Sequence, residues 1–161
     1  MTPANPKGTR ILVVDDDRSI RQLVCTIVQR EGYTVDSAAD GAEAIELLKH
    51  TDYTVILCDL MMPRVDGFGV IDFIKHHPHE PKPIVLIITA YADQKFKQVD
   101  PVIVAGVVRK PFEVLELGKL IRLCASGLQN EAQHNLALSS DRAIRDFVRT
   151  RGENGSGSPA N

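Results

Sequence analysis

Short apolar runs alternate with helical patterns from residue 10 to about residue 128, and this alternation constrains the fold more than any other feature. Residues 34–38 alternate apolar with polar side chains, which indicates a strand near the edge of a sheet. Four further runs are apolar, as buried strands are: residues 11–14, 55–58, 84–88 and 102–108. Five strands that alternate with five helices predict an α/β domain with a doubly wound five-stranded parallel sheet. Right-handed crossovers favour the flavodoxin-like strand order 2-1-3-4-5.

Helical periodicity and turn residues place the helices between these strands. Apolar side chains from Ile20 to Val28 recur at the spacing of one helix face, and Gly32 is placed to end that helix. Pro101 would terminate the fourth helix, so we expect that helix to be short or irregular. The segments with helical signals are residues 20–28, 41–48, 68–74, 91–99 and 112–128.

The composition is that of a soluble globular domain. The chain has 161 residues, about the size of one domain, and 43% of them are hydrophobic. A net charge of -2 predicts no general affinity for nucleic acid or anionic membranes. The first residues lack the apolar core of a signal peptide, so we expect a cytoplasmic protein without membrane insertion. Cys25, Cys58 and Cys124 lie far apart in apolar stretches, which predicts buried, unpaired thiols.

Both ends of the chain are expected to lie outside the α/β domain, which we place at residues 9–128. Residues 1–8 predict a flexible N-terminus, and residues 129–161 form a C-terminal tail that departs from the alternation. Within the tail, residues 141–151 can form an extra amphipathic helix, and the Gly-Ser-Pro composition beyond them predicts a disordered end. The extra helix is expected to pack on its own domain or fray in solvent, with partner binding as the alternative.

Polar residues stand where four of the predicted strands end, and parallel strands bring these ends to one edge of the sheet. They are Asp15, Asp16 and Asp17 after the first strand, Asp59 after the third, Thr89 at the fourth and Lys110 after the fifth. Because crowded carboxylates repel one another, this edge favours a divalent cation, and oxygen ligands suit Mg²⁺. Lys110 suits a phosphate oxygen, and Thr89 adds a hydroxyl donor. The set indicates phosphoryl transfer to a carboxylate nucleophile.

These positions resemble the receiver domain of bacterial two-component response regulators. The motifs that carry the resemblance are residues 11–17 (ILVVDDD), 58–63 (CDLMMP) with Asp66-Gly67, 88–90 (ITA) and 110–112 (KPF). The resemblance implies that Asp59 accepts the phosphoryl group, that Lys110 contacts it and that the Thr89 hydroxyl turns towards it. It implies that Mg²⁺ is bound by Asp15, Asp16, Asp59 and the backbone carbonyl of Met61. It also implies a cis peptide bond between Lys110 and Pro111.

Several residues depart from the family pattern. Val107 stands where the family has its switch aromatic, and Arg109 replaces a usually apolar or small neighbour of the lysine. We therefore expect intact chemistry with a non-standard switch. Met61 and Tyr91 flank the implied path of attacking water and predict slow self-dephosphorylation, unless Tyr91 points away as ordinary surface.

Four neighbouring residues suggest a second metal site, but without a strong ligand spacing. They are His76, His77, His79 and Glu80, which follow the third helix in a proline-broken turn. We interpret them as a solvated loop.

The implied role is a signalling phosphoacceptor, not an enzyme, that receives its phosphoryl group from a sensor histidine kinase or a histidine phosphotransfer protein. The tail is too short for a usual DNA-binding module, so we expect output through an unknown protein target or a phosphorelay, with no direct nucleic-acid contact. One alternative is a receiver-fold adaptor that works without phosphorylation. Another is a phosphohydrolase of the haloacid dehalogenase type, suggested by the Asp-x-Asp spacing of residues 15–17. That reading leaves Asp59 unexplained.

Overall fold

The computed structural model describes residues 8–78, 81–91 and 103–127. The strands of its sheet are β1 (Arg10–Val14), β2 (Thr34–Ala38), β3 (Val55–Cys58), β4 (Ile84–Thr89) and β5 (Val104–Arg109). All five are parallel, and their order in the sheet is β2-β1-β3-β4-β5. The predicted doubly wound order is therefore confirmed, and the polar alternation of β2 matches its place at the sheet edge.

Four helices connect or follow the strands in the described residues, and three of them begin directly after an aspartate. They are α1 (Arg18–Arg30), α2 (Gly41–His50), α3 (Gly67–His76) and α4 (Val114–Ala125). The carboxylates of Asp17, Asp40 and Asp66 accept hydrogen bonds from backbone amides in the first turns of α1, α2 and α3. These bonds satisfy donors that a helix N-terminus otherwise leaves unpaired, and so they determine where each helix starts.

The sheet separates two apolar cores, as a doubly wound fold requires. Along β1, Leu12 and Val14 join the core beneath α2 and α3, whereas Ile11 and Val13 join the core beneath α1 and α4. All four side chains are almost completely buried. The two-sided burial explains why the central strands are apolar at every position. Functional side chains are consequently confined to the strand ends.

The predicted last helix, residues 112–128, was too long. Helix α4 begins after Glu113, whose backbone is extended, and it ends at Ala125. Gly127 then adopts a φ of +76°, a left-handed conformation that ends helices and that glycine tolerates. Ile103 was also predicted to belong to the fifth strand, but it lies in a turn, and β5 starts at Val104.

Some predictions fall on residues that the structure does not describe. They are the N-terminus before residue 8, residues 92–99 of the predicted fourth helix, the start of the predicted fifth strand and the tail beyond residue 127. All three cysteines are free, as expected, although Cys25 is only half-buried. Among the described helices, none is long and apolar enough to cross a membrane.

Candidate functional site at the carboxyl ends of the strands

Backbone hydrogen bonds continue the sheet by one residue beyond three strands, and these residues carry charged side chains. Asp15 N–H donates to the carbonyl of Ala38 (3.2 Å), and Asp59 N–H donates to that of Val14 (3.0 Å). On the far side, Lys110 N–H donates to the carbonyl of Thr89 (2.9 Å). The side chains are therefore held by the rigid sheet, although they come from distant parts of the sequence.

Lys110 binds two of the acids at once. Its Nζ lies 2.7 Å from Asp15 Oδ2 and 2.9 Å from Asp59 Oδ2. The three side chains are at most 15% exposed, so these charge-assisted bonds are shielded from solvent. Burial raises the pKa of Asp15 despite the bond from Lys110. Burial also acts to lower the pKa of Lys110, but its bonds to Asp15 and Asp59 outweigh this effect, so the pKa is raised and the ammonium form is favoured.

The remaining oxygens of the two buried acids are oriented by backbone amides. Asp15 Oδ1 accepts from Asp17 N–H (2.9 Å), and Asp59 Oδ1 accepts from Met61 N–H (3.2 Å). The Arg21 guanidinium donates to the carbonyl oxygen of Asp15 at 2.7 Å and holds the β1–α1 connection. Arg21 was not predicted as a site residue. The sequence feature that could have indicated it is its position, in the first turns of the helix that follows the acidic run.

Asp16 completes an acidic group at the same edge. Carboxylate oxygens of Asp15, Asp16 and Asp59 all lie within 4.8 Å of one another, and the Asp16 side chain is exposed to solvent. We call these three acids and Lys110 the carboxyl-end cluster. Three carboxylates face a single ammonium group, and an oxygen donor set of this kind fits Mg²⁺. In the part of the chain that the structure describes, no other group of three His, Cys, Asp or Glu side chains converges in this way.

The other predicted residues surround this cluster or lie away from it. Thr89 is completely buried at the end of β4, and its hydroxyl oxygen accepts from Tyr91 N–H (3.2 Å). Tyr91 is 55% exposed and Met61 is 38% exposed. Val107 is completely buried in the core beneath α2 and α3. The peptide bond before Pro111 is cis, as the resemblance implied.

His76 is the last residue of α3 and does not follow the helix, as the sequence had suggested. Among the described residues, neither His76 nor His77 belongs to a group of metal-ligating side chains. His76 Nδ1 lies 2.9 Å from the carbonyl oxygen of Asp72, one turn earlier in α3. His77 is the C-terminal cap residue of the helix and its ring packs at 4.8 Å from that of Phe73. His79 and Glu80 lie outside the described residues.

The fold and the site together define a class of protein: a doubly wound α/β domain with an acidic, lysine-bridged cluster at the carboxyl ends of its strands. The family model for the response regulator receiver domain matches residues 11–122. The chain therefore belongs to this family, and the resemblance stated from its motifs is confirmed. Receiver domains are signalling domains of two-component systems.

Solved structures and curated proteins with similar sequences agree with this assignment. The response regulator TrrA from Thermotoga maritima, solved in complex with Mg(2+)-BeF, has a TM-score of 0.64 and 29% identity over 72% of this chain and 98% of its own. The chemotaxis response regulator CheY4 of Vibrio cholerae has a TM-score of 0.65 and 31% identity over 72% of this chain and 98% of its own. A probable transcriptional regulator, ycf27, from Porphyridium aerugineum is 33% identical over 78% of this chain. That match covers 52% of ycf27, so this chain spans about half the length of that relative.

Proposed function

We propose that this chain is a phosphoacceptor receiver of a two-component or phosphorelay system, and that Asp59 is the residue phosphorylated. The observation that carries the proposal is the carboxyl-end cluster, in which Lys110 bridges Asp15 and Asp59 while Asp16 lies beside them. The donor is a phosphohistidine of a sensor histidine kinase or a histidine phosphotransfer protein. The similar TrrA structure, which holds Mg(2+)-BeF, also supports this proposal.

The chemistry is a transfer of one phosphoryl group between two nucleophiles. A carboxylate oxygen of Asp59 forms a bond to phosphorus while the phosphorus–nitrogen bond of the donor breaks. The electron pair of that bond leaves with the imidazole, which keeps or regains its proton. Lys110 already contacts Asp59 Oδ2, so its ammonium is placed to offset negative charge that gathers on the phosphoryl oxygens. The Thr89 hydroxyl is the proposed donor to one of those oxygens.

Mg²⁺ would be bound by Asp15, Asp16, Asp59 and the carbonyl of Met61, and it would neutralise phosphoryl oxygens that the carboxylates otherwise repel. The chain's own groups prepare this arrangement. Asp15 has both oxygens engaged, by Asp17 N–H and Lys110, and it is the more buried of the two bridged acids. Asp59 Oδ1 receives only a longer bond, 3.2 Å from Met61 N–H. This difference supports Asp59 as the nucleophile and Asp15 as a ligand.

Intact mass spectrometry after incubation with Mg²⁺ and acetyl phosphate tests the proposal. We expect one phosphoryl adduct on the wild type, none on Asp59→Asn and none when a chelator removes Mg²⁺. Asp36→Asn is the matched control, since Asp36 is a partly buried acid on β2 that contacts Arg10 and Tyr53 instead of Lys110. An adduct that persists on Asp59→Asn would contradict the assignment of Asp59. Absence of any adduct, also with a histidine kinase as donor, would contradict phosphoacceptor function.

We further propose that the phosphorylated protein acts in the cytoplasm through contacts with a protein target, not with nucleic acid. The exposed Met61 side chain and the bulky Tyr91 are expected to hinder attacking water, so that the phosphoryl group is lost slowly. A half-life of seconds for the adduct on the wild type, followed by mass after removal of the donor, would contradict slow loss.

An adaptor that works without phosphorylation is the second candidate, and Val107 favours it. Val107 is a completely buried aliphatic residue at the position of the family's switch aromatic, so that it has no ring to rotate. Amide hydrogen exchange with and without Mg²⁺ and beryllofluoride separates the two candidates. A phosphorylation-driven receiver is expected to show altered exchange in β4, β5 or α4, beyond the site itself. Exchange that changes only around Asp59 would favour the adaptor.

A further inference from the structure

The connection between β3 and α3 carries both the proposed acceptor and the backbone of Met61, so its position matters for the site. It is held tightly at both ends. Met61 N–H donates to Asp59 Oδ1, and Gly67 N–H donates to the carbonyl of Leu60 (3.0 Å). A Cβ at Gly67 would lie 2.4 Å from the carbonyl oxygen of Asp59, so only glycine allows α3 to begin this close to the acceptor.

Arg64, in the middle of this connection, has an unusual backbone conformation. Its φ is +66°, and no other non-glycine among the described residues has a positive φ. This left-handed conformation costs an L-residue about 1 kcal/mol or more. A strained residue persists where its surroundings hold it, and such residues concentrate at functional sites. We therefore expect contacts of Arg64 to hold it in this conformation.

Those contacts tie the connection to the start of α2. The Arg64 guanidinium forms an ion pair with Asp40. The Asp40 side chain is 9% exposed, whereas the Arg64 side chain is 74% exposed. Asp40 also caps α2 by accepting from Glu43 N–H (2.9 Å). The Glu43 amide and the Arg64 charge hold the pKa of Asp40 below its ordinary value, so the carboxylate stays ionised.

The next residue makes a second attachment to α2. The carbonyl of Val65 accepts from Gly41 N–H at 3.1 Å, and a Cβ at Gly41 would lie 2.3 Å from that oxygen. The Val65 side chain occupies the space that a Cβ at Gly41 or Gly69 would need. Arg64 and Val65 thus attach the connection to α2 by a charged contact and a backbone bond. Of these two, only the charged contact depends on a side chain.

We infer that Arg64 is a positioning residue, whose ion pair with Asp40 holds the β3–α3 connection in the place where the backbone of Met61 serves the cation site. The inference rests on the proposed function, because it concerns the affinity of that site for Mg²⁺. The Arg64 side chain bonds to Asp40 and not to a described residue of the carboxyl-end cluster, so it acts through the backbone between residues 59 and 64. The two partners lie 24 residues apart in sequence, and their bond joins the start of α2 to the β3–α3 connection.

Calorimetric titration of the full chain with MgCl₂ tests the inference. We expect Arg64→Ala and Asp40→Asn each to weaken Mg²⁺ binding up to about fivefold, because an ion pair with one exposed partner makes a small contribution. Asp40→Asn removes only the charge, because asparagine caps a helix as well as aspartate. If the pair is the cause, the double variant binds no more weakly than either single variant. Arg64→Lys keeps a charge in reach of Asp40 and restores most of the affinity.

Arg64→Gly separates positioning from stability. Glycine relieves the left-handed strain but cannot make the ion pair, so this variant is expected to melt at or above the temperature of Arg64→Ala and yet to bind Mg²⁺ equally weakly. Lys49→Ala is the control, because it breaks an exposed ion pair to Glu46 on the same helix and leaves Mg²⁺ binding unchanged. A readout without metal is amide exchange of residues 60–67, which is expected to be faster in Arg64→Ala than in Lys49→Ala.

The outcomes distinguish this inference from the proposed function. A wild type that binds Mg²⁺ and takes up phosphoryl groups, with Arg64→Ala and Asp40→Asn binding equally well, overturns the positioning role alone. Recovery of full affinity in Arg64→Gly overturns it too, since affinity would then follow backbone strain instead of the ion pair. Failure of the wild type to bind Mg²⁺ overturns the proposed function and the inference together. Saturating MgCl₂ is expected to restore the phosphorylation rate of Arg64→Ala, which a damaged acceptor would not show.

Discussion

The two ends of the sheet both carry charged side chains that join neighbouring strands, but their charges are balanced differently. At the carboxyl end, Lys110 bridges Asp15 and Asp59. Towards the amino end, Asp36 accepts from Arg10 Nη1 (3.1 Å) and from the Tyr53 hydroxyl (2.8 Å). We call Arg10, Asp36 and Tyr53 the amino-end network. It joins β1, β2 and the segment just before β3.

The difference in balance separates a structural arrangement from a functional one. The amino-end network has one carboxylate, one guanidinium and a neutral hydroxyl, so its charges cancel without help. The carboxyl-end cluster has three carboxylates and one ammonium. Its bridged side chains, those of Lys110, Asp15 and Asp59, are also more buried than the ion pair of Arg10 with Asp36. Excess charge in a buried place costs stability unless a further cation binds. We therefore expect changes at one end to alter function, and changes at the other to alter only stability.

The largest difference between the two ends is expected when the basic side chain of each is removed, Lys110 at the carboxyl end and Arg10 at the amino end. Lys110→Ala should slow phosphoryl transfer from acetyl phosphate at least about 100-fold, the loss typical of one electrostatic contact to the reacting group. Arg10→Ala should leave the rate unchanged, because its guanidinium pairs with Asp36, away from the carboxyl-end cluster. Quantitative intact mass against time measures both rates. Equal slowing by the two variants would remove the distinction between the ends.

Mg²⁺ should stabilise the protein through the carboxyl-end cluster alone. At a concentration 100 times its Kd, a ligand that binds only the folded state adds about 2.7 kcal/mol to the free energy of unfolding. Urea unfolding with MgCl₂ and with a chelator measures this increase. Asp16→Asn is expected to abolish most of it, whereas Asp36→Asn retains it. An increase that survives in Asp16→Asn would place the cation elsewhere.

In the absence of Mg²⁺, a change in the amino-end network should cost more stability than a change in the carboxyl-end cluster. Asp36→Ala leaves Arg10 and the Tyr53 hydroxyl without this acceptor and is expected to cost about 2 kcal/mol of unfolding free energy. Asp16→Ala removes an exposed carboxylate from an overcharged group and should leave stability unchanged or slightly increased. Urea unfolding of both variants in a chelator provides the comparison. A larger loss for Asp16→Ala would contradict the argument from charge balance.

The smallest effect concerns the alkaline limit of the amino-end network. Burial, followed by the bond to Asp36, raises the pKa of Tyr53 from 10.0 to about 12. A raised pKa means that the neutral form stabilises the fold below pH 10, and that this contribution is lost as the pH rises through about 12. Tyr53→Phe removes the hydroxyl and should cost about 1 kcal/mol at neutral pH. In an absorbance titration of this variant, the tyrosine that ionises at the highest pH should be missing. An unchanged titration would contradict the assignment of this pKa to Tyr53.

Much of the fold and site was predictable because strong local patterns specify them. Strands β2 and β3 have the predicted bounds, and Asp15, Asp16, Asp59 and Lys110 converge as expected at the carboxyl edge. The positions of helix ends were predicted less accurately, as α4 shows, because a helix end depends on individual φ angles such as that of Gly127. The functional roles of the site residues stay predictions until the experiments above are made.

Contacts between distant side chains were not predictable in the same way. Lys110 was expected beside a phosphoryl group, and its bond to Asp15 appeared only in the folded chain. Arg21 bonds to the Asp15 carbonyl, and Arg64 pairs with Asp40. Nothing in the sequence indicated either contact, except that both arginines lie near a motif. Long side chains reach several partners, and packing of the whole domain selects among them.

The sequence by itself determined the alternation of strands and helices, the two-sided burial of the sheet and the identity of the acids and lysine at the strand ends. These follow from hydrophobic periodicity, which acts over a few residues, and from the rule that parallel strands end at one edge. Only the tertiary structure decided which oxygen each donor binds and that Arg64 adopts a left-handed backbone to reach Asp40. Those choices depend on distances between residues far apart in sequence, and such distances exist only once the two cores have packed.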